Sequence, residues 1–171
     1  LAFTATPKKL FAVSVGEGSD SDGRLTAPPV VINGVVYAID TLAETSAWDA
    51  GSGKQIWSVS LAPEKQDPEG GYGGGLAGDG TRLYAVTAFG EAMAINPADG
   101  KVAWRVKLDS PVRAAPTVAD SKLIFTSVTN DIYALNTADG SILWRTPGSG
   151  EQAAAISSAS PAIAGGIVVA P

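Results

Sequence analysis

Few residues in this sequence have side chains that could perform catalysis or bind a metal. The 171 residues include neither histidine nor cysteine, which excludes a Ser-His-Asp triad, a Cys-His pair, a His/Cys zinc site, a disulfide bond and a CxxC redox pair. Carboxylates remain. Asp99 and Asp139 occupy equivalent places in a repeated turn, and neither Asp120 nor Asp131 has a partner at a spacing typical of acid–base chemistry. The sequence therefore predicts no catalytic residue, no metal ligand and no cofactor-binding residue.

Two short motifs resemble ligand-binding loops without their full pattern. Residues 17–23 contain Asp20, Asp22 and Gly23 in the order that starts a calcium loop, but the later ligands are missing. The glycine-rich run over residues 70–75 is followed by a predicted strand, whereas a dinucleotide loop opens a helix. We interpret both as connectors between structural units.

Composition limits the classes of partner. Hydrophobic residues make up 45% of the chain and charged residues 17%, and the formal net charge is -5. This acidic balance argues against nucleic acid and against an anionic membrane surface as the main partner. No apolar run is long enough for a transmembrane helix, and the sequence opens without a signal peptide, so we expect a processed or trimmed chain.

A repeated eleven-residue segment organises the chain. It has the pattern Ala-x-Asp/Asn-x-x-x-Gly-Lys/Ser-x-x-Trp, and its copies are residues 47–57, 94–104 and 134–144. The tryptophans Trp57, Trp104 and Trp144 are spaced by 47 and then 40 residues. Each segment predicts a tight turn between two strands, because Asx side chains accept backbone hydrogen bonds at turn starts and glycine tolerates a positive φ. The turn residues are Asp49, Asn96 and Asn136 at the start and Gly53, Gly100 and Gly140 near the end.

The modules around these turns predict an all-β propeller. Each reads as four short antiparallel strands of about 40–45 residues in total, which is the size of a propeller blade. The tryptophans are interpreted as core residues, and Ala47, Ala94 and Ala134 are expected to leave room for a tryptophan of an adjacent blade. Phe11 takes the tryptophan position in a further copy of the fourth strand.

Alignment of the modules also predicts their bounds. We expect an orphan outer strand of the closing blade over residues 9–15, blade 1 over 27–61, blade 2 over 73–108, blade 3 over 114–146 and the start of blade 4 over 160–171. The chain then forms an incomplete arc, about half of a propeller of about 320–400 residues.

This repeat resembles the tryptophan-docking repeat of the pyrroloquinoline-quinone-like propellers, a superfamily of quinoprotein dehydrogenases and non-enzymatic scaffolds. Within it the chain is most similar to the BamB family, periplasmic lipoproteins of the outer-membrane β-barrel assembly machinery. The resemblance covers residues 9–171 and rests on the strands at 11–16 and 56–61 and on the turn at 134–140.

The resemblance implies a non-catalytic scaffold on the periplasmic face of the outer membrane of a Gram-negative bacterium. Such a protein would bind the barrel-insertion subunit, unfolded outer-membrane proteins, or both, and would be anchored through an acylated cysteine upstream of Leu1. It would need no cofactor. In the family, the connector before the fourth blade contributes to docking on the barrel-insertion subunit. The matching segment here is Gln152, Ala153, Ala154, Ala155 and Ile156, with Ile156 as its one apolar anchor.

Two other functions remain open at this stage. A fragment of a quinone-dependent dehydrogenase would need calcium ligands and a catalytic aspartate near the quinone. A propeller adaptor or sensor would use the same blades with a different partner. The connectors vary while the module stays constant. A scaffold, adaptor or sensor is therefore expected to bind its partner protein at the connectors.

Overall fold

The computed structural model describes residues 8–16, 27–64, 73–148 and 159–170. They form three four-stranded antiparallel sheets and one two-stranded sheet, which confirms the predicted all-β propeller arc. The strands are β1 Val30–Ile32, β2 Val35–Ile39, β3 Glu44–Asp49, β4 Gln55–Ser60, β5 Gly74–Gly78, β6 Leu83–Thr87, β7 Glu91–Ile95, β8 Val102–Lys107, β9 Thr117–Ala119, β10 Lys122–Thr126, β11 Asp131–Asn136, β12 Ile142–Pro147, β13 Ala162–Ala164 and β14 Ile167–Val169.

Each full sheet is one blade, and its strands follow one another in chain order. Blade 1 contains β1 to β4, blade 2 contains β5 to β8, and blade 3 contains β9 to β12. All three blades carry a β-bulge at the same place between their third and fourth strands, after Ala47, Ala94 and Ala134. The described ranges contain no helix that is long and apolar enough to cross a membrane.

The turns between third and fourth strands have the predicted conformation. Gly53, Gly100 and Gly140 have φ angles of 72°, 74° and 77°, in the left-handed region that favours glycine. In each turn this glycine donates its N–H to the carbonyl of the residue four positions earlier, Asp49, Asn96 or Asn136. The same Asp or Asn also accepts a backbone N–H with its side-chain oxygen. Local hydrogen bonding therefore explains why these residue types recur.

The hydrophobic core lies between blades. One cluster joins blades 1 and 2 and includes Tyr37, Leu61 and Met93. A second joins blades 2 and 3 and includes Tyr84, Phe125 and Tyr133. Blade 2 contributes to both clusters, and every residue of its central strands β6 and β7 is buried. Because a single sheet cannot bury both faces, the blades stabilise one another by stacking.

Residues 8–16 form no strand, although a fourth strand was expected over residues 9–15. A strand needs a hydrogen-bonded neighbour, and no described strand lies beside this segment to form a ladder with it. The side chain of Phe11 nevertheless packs against Gly53. At the other end, β13 and β14 pair as a hairpin, and β13 lies beside β9 of blade 3.

Candidate functional site

The tryptophans of the outer strands of blades 1 and 2 bind the turn of the following blade. The Nε1–H group of Trp57 donates to the carbonyl of Pro97 over 2.9 Å, and that of Trp104 donates to the carbonyl of Thr137 over 3.0 Å. A Cβ atom on Gly100 would lie 3.0 Å from Cε3 of Trp57. The glycine thus has two functions, because it adopts the left-handed conformation and leaves room for the indole ring.

Phe11 follows the same rule one blade earlier. A Cβ atom on Gly53 would lie 2.7 Å from Cδ2 of Phe11, so the phenyl ring covers the turn of blade 1 as the tryptophans cover those of blades 2 and 3. A phenyl ring has no donor group, which leaves this contact without the hydrogen bond of its counterparts. Trp144 is the corresponding residue of blade 3, and the turn it would cover is not among the described residues.

The expectation for the three small alanines is wrong in one respect. The strand register pairs Ala47 with Trp57, Ala94 with Trp104, and Ala134 with Trp144, all within the same blade. The alanine therefore leaves room beside the tryptophan of its own blade. Each alanine and tryptophan are the first and last residues of the same eleven-residue repeat, so the hairpin itself brings them opposite each other.

Arginines also clamp neighbouring blades together. Nη1 of Arg105 donates to the carboxylate of Glu91 in the same blade over 2.7 Å and to the carbonyl of Leu61 at the end of blade 1 over 3.2 Å. Glu91 is only 7% exposed, so its charge is largely removed from water. A buried carboxylate needs a partner, and Arg105 supplies one while holding two blades.

Arg145 repeats this arrangement between blades 2 and 3. Its guanidinium contacts Asp131 of its own blade at 2.8 Å and Asp109, just beyond β8, at 2.5 Å. It also lies over the ring of Tyr133, with 5.1 Å from Cζ to the ring centroid. The hydrogen bond from Arg145 lowers the pKa of Asp131 below its usual value, despite the opposing effect of burial. The contact therefore holds Asp131 as a carboxylate.

Blade 1 has a serine where blades 2 and 3 have these arginines. Ser58 occupies the position of the two arginines, fourteen residues after Glu44, and its hydroxyl donates to that carboxylate. It also lies 2.6 Å from the hydroxyl of Ser46. These contacts remain within the blade. The acidic residue and the Arg or Ser recur at a constant spacing of fourteen in all three modules, which is the signal by which the sequence could have shown the clamps.

A second polar junction lies at the opposite end of the contact between blades 2 and 3. Asp79 accepts hydrogen bonds from the hydroxyl of Tyr84 over 2.7 Å and from the backbone of Thr81 and Arg82. Burial alone would raise the pKa of Asp79, but these hydrogen bonds outweigh it and lower the pKa to about 2. Burial, followed by the hydrogen bond to Asp79, raises the pKa of Tyr84 to about 12. Arg82 then reaches the carbonyl of Thr137 in blade 3 over 3.2 Å.

The predicted partner-binding residues 152–156, including Ile156, lie outside the described residues. Their flanks are described. Before the connector, Gly148 lies against the backbone of Asn130 in the β10–β11 loop. After it, the hydroxyl of Thr117 donates to the carbonyl of Pro161 over 2.5 Å. Both flanks are thus held by blade 3.

The two loop-like motifs have different outcomes. The acidic residues 17–23 lie outside the described residues. Within the glycine-rich run, Gly74 and Gly75 belong to β5 and not to a connector. A Cβ atom on Gly75 would lie 2.6 Å from Cα of Ala115 in the next blade. Glycine is therefore required there for close backbone approach. Over the described ranges, no group of three or more Asp or Glu residues is placed to hold a metal ion.

Comparison with known proteins agrees with the blade geometry. The family model of the outer membrane protein assembly factor BamB matches residues 43–171. BamB of Salmonella typhimurium is 31% identical over 122 residues, which cover 67% of this chain and 30% of that protein. BamB of Escherichia coli is 32% identical over 117 residues, covering 66% of this chain and 29% of that protein. The matched part of the chain thus spans less than a third of the length of these relatives.

Solved structures share the fold. BamB from Moraxella catarrhalis superposes with a TM-score of 0.63 at 20% identity, covering 85% of this chain and 46% of that one. Quinohemoprotein alcohol dehydrogenase from Comamonas testosteroni gives a TM-score of 0.62 at 23% identity, covering 74% and 21%. At these identities the likeness concerns the propeller alone, which hosts both scaffolds and enzymes. The family match extends over most of the chain and includes all three tryptophan turns, and on that ground the chain belongs to the BamB family.

Proposed function

We propose that this chain is part of a non-catalytic scaffold for outer-membrane protein assembly, working at the periplasmic face of the outer membrane. Its partners would be the barrel-insertion subunit and unfolded outer-membrane proteins. The observation that carries the proposal is the family match over residues 43–171. The roles of two buried acidic residues support it, because Glu91 and Asp131 both bind the arginines that hold neighbouring blades together.

The partner-binding segment in this proposal is the connector at residues 152–156. Connectors are the parts of a propeller that vary from blade to blade, so they suit specific recognition. Interface energy concentrates in a few buried anchors, and Ile156 is the one large apolar side chain of the segment. The firmly held flanks at Gly148 and Pro161 would present the connector from one edge of blade 3.

The test uses the complete protein and the purified barrel-insertion subunit. Ile156→Asp would place a charge in an apolar contact and should weaken binding by at least about tenfold, which corresponds to about 1.4 kcal/mol. The matched control is Ile142→Asp, because Ile142 is an isoleucine half-exposed at the start of β12, away from the connector. Native affinity in Ile156→Asp, or an equal loss in both variants, would contradict the assignment of the connector.

The wider role has its own test in cells. Deletion of the gene should lower the amount of folded outer-membrane proteins, and the complete protein should restore it. The proposed lipid anchor predicts that the protein fractionates with the outer membrane and loses this location when its upstream acylated cysteine is replaced. Normal outer-membrane protein levels in the deletion strain, together with capture of an unrelated partner, would favour the adaptor or sensor function instead.

A quinone-dependent dehydrogenase is the second candidate, and the fold shared with quinohemoprotein alcohol dehydrogenase favours it. Such enzymes hold calcium beside the quinone with clustered oxygen ligands. The described blades offer no cluster of three acidic residues for that purpose. Quinone absorbance and stoichiometric calcium in the purified complete protein, with oxidation of an alcohol, would establish this second function and overturn the scaffold.

A further inference from the structure

The turn between β1 and β2 contains the one Asn-Gly sequence of the chain. Ile32 pairs with Val35, so Asn33 and Gly34 form a two-residue turn, with φ angles of 49° and 79°. Positive φ at both positions is typical of the type I′ turn that asparagine followed by glycine favours. Asn33 is exposed, and a Cβ atom added to Gly34 would have nothing within 4 Å. The Asn33 side chain therefore has room to move.

The side chain of Asn33 and the backbone nitrogen of Gly34 form a pair that can react. The Cγ atom of an asparagine amide is electrophilic, and the next backbone nitrogen becomes a nucleophile when it loses its proton. Within the described residues, no acceptor receives the N–H group of Gly34. Glycine also lacks the side chain that would hinder close approach. Nδ2 of Asn33 donates to the carbonyl of Gly80 in blade 2 over 3.4 Å, a long hydrogen bond that holds the amide weakly.

The three other asparagines are followed by a nitrogen that has no proton or already has an acceptor. Asn96 precedes a proline, which has no backbone N–H group. After Asn130, the next N–H group donates to the hydroxyl of Ser127 over 3.2 Å. After Asn136, it donates to the carbonyl of Ser121 over 3.1 Å. Among the asparagines, only that of the β1–β2 turn thus combines an exposed amide with a nucleophile that lacks an acceptor in the described structure.

We propose that Asn33 is a site of spontaneous deamidation. The nitrogen of Gly34 bonds to Cγ of Asn33 while the Cγ–Nδ2 bond breaks, and Nδ2 leaves as ammonia with the proton that the Gly34 nitrogen lost. A succinimide ring remains. Water then opens the ring, its hydroxyl bonding to a carbonyl carbon and its proton returning to the nitrogen. Attack at Cγ gives aspartate, and attack at the backbone carbonyl gives isoaspartate. The inference is independent of the partner that the protein binds.

The fold should tolerate the two products differently. The equivalent turn of blade 3 has Asp120, with the same φ angle of 49°, followed by Ser121. An aspartate at position 33 therefore suits the turn, although it loses the donor that contacts Gly80. Isoaspartate adds one atom to the backbone of a turn that has only two residues. It should displace the carbonyl of Gly34, which accepts the N–H group of Ala50 over 2.8 Å.

Peptide mapping of the complete folded protein tests the site. The protein is incubated at mildly alkaline pH, which favours loss of the amide proton, and its peptides are separated and weighed by mass spectrometry. The peptide that contains Asn33 should change from the mass of the amide to that of the acid and appear as two forms, aspartate and isoaspartate. The peptides that contain Asn96, Asn130 and Asn136 should keep the mass of the amide. A sample unfolded in denaturant provides the reference rate.

A pair of variants tests the role of the glycine. Gly34→Ser copies the turn of blade 3, where Ser121 has a φ angle of 58°, so the variant should fold. The added side chain hinders the attack and should slow deamidation of Asn33 by about tenfold. Gly166→Ser is the matched control, because it makes the same change in the turn between β13 and β14, where glycine also has a φ angle of 79°. It should leave the rate at Asn33 unchanged.

A separate measurement addresses the effect on the fold. The deamidated protein carries an additional negative charge and can be isolated by anion exchange. Hydrogen exchange at the amide of Ala50 should be faster in this fraction, because isoaspartate displaces its acceptor. The variant Asn33→Asp represents the aspartate product alone and should keep the wild-type exchange rate at Ala50.

Four results would overturn the inference. The first is an Asn33 peptide that reacts in the unfolded sample but keeps its mass in the folded protein. The second is equal modification of all four asparagines in the folded protein. The third is an equal rate in wild type and Gly34→Ser, or equal slowing in both variants. The fourth is an unchanged exchange rate at Ala50 in the deamidated fraction, which would remove the effect assigned to isoaspartate.

Discussion

Gly140 of blade 3 lies directly beneath the indole ring of Trp104 from blade 2, so close that a Cβ atom on the glycine would be 2.7 Å from Cε3 of the tryptophan. The same glycine has a φ angle of 77°. One residue therefore satisfies a local requirement of the turn and a long-range requirement of the contact between blades. The two requirements can be separated by mutation, because other glycines of this chain have only the first.

Gly140→Ala should destabilise the complete protein by about 2–4 kcal/mol, combining the left-handed penalty with steric overlap against Trp104. Gly34→Ala is the matched control, since Gly34 has a φ angle of 79° and a Cβ atom added there would have nothing within 4 Å. That variant should lose only about 1–2 kcal/mol. Denaturant unfolding of both variants measures the difference. Equal losses would show that the close approach of Trp104 contributes nothing.

Trp104→Ala should cost about 3–5 kcal/mol, because it removes a large aromatic side chain from the contact between blades 2 and 3. Trp104→Phe retains most of the packing but loses the 3.0 Å hydrogen bond to Thr137, and should cost distinctly less. Val102→Ala, on the same strand but exposed, serves as the control. Urea unfolding midpoints should follow the order Val102→Ala, Trp104→Phe, Trp104→Ala, from highest to lowest, and any other order would contradict the docking role.

Arg145→Ala should lower the unfolding midpoint of the protein, since it leaves Asp131, which is 9% exposed, without its charged partner. Lys101→Ala breaks the exposed ion pair with Asp99 and should leave the midpoint close to that of the wild type. Comparison of their unfolding free energies separates a clamp between blades from a surface ion pair. The clamp fails as an explanation if Arg145→Ala unfolds with the wild-type midpoint.

Asp79 should contribute to the loss of folding stability at acidic pH. Its pKa is lowered from 3.8 to about 2 in the folded protein, so its contribution to stability is complete above the unfolded value and is lost as pH falls from 3.8 towards 2. Asp79→Asn removes this titration, and the thermal midpoint of the variant should depend less steeply on pH over that interval. If the thermal midpoints of wild type and variant fall in parallel over this pH interval, Asp79 does not contribute to the acid sensitivity. Tyr84→Phe, which removes one of the hydrogen bonds to Asp79, should reduce the slope in part.

Much of the fold follows from residue types that act locally. Asn96 and Gly100 form the same turn wherever the pattern occurs, because the Asx side chain and the left-handed glycine act within a few residues of each other. That repetition determined the strand order, the blade count and the family to which the chain is similar. The start of β5 was harder to predict. Glycines that permit close backbone approach in a strand cannot be distinguished by composition from the glycines of a flexible linker.

The contacts between blades depended on the tertiary structure. The alanines were expected to leave room for a tryptophan of an adjacent blade, whereas the register places Trp104 beside Ala94 of its own blade and over Gly140 of the next. The Arg145 clamp also became visible only when the sheets were assembled. The physical reason is that residues far apart in sequence interact through the stacking of whole sheets. Periodicity within one module specifies each sheet but not which of its neighbours' residues the sheet will meet.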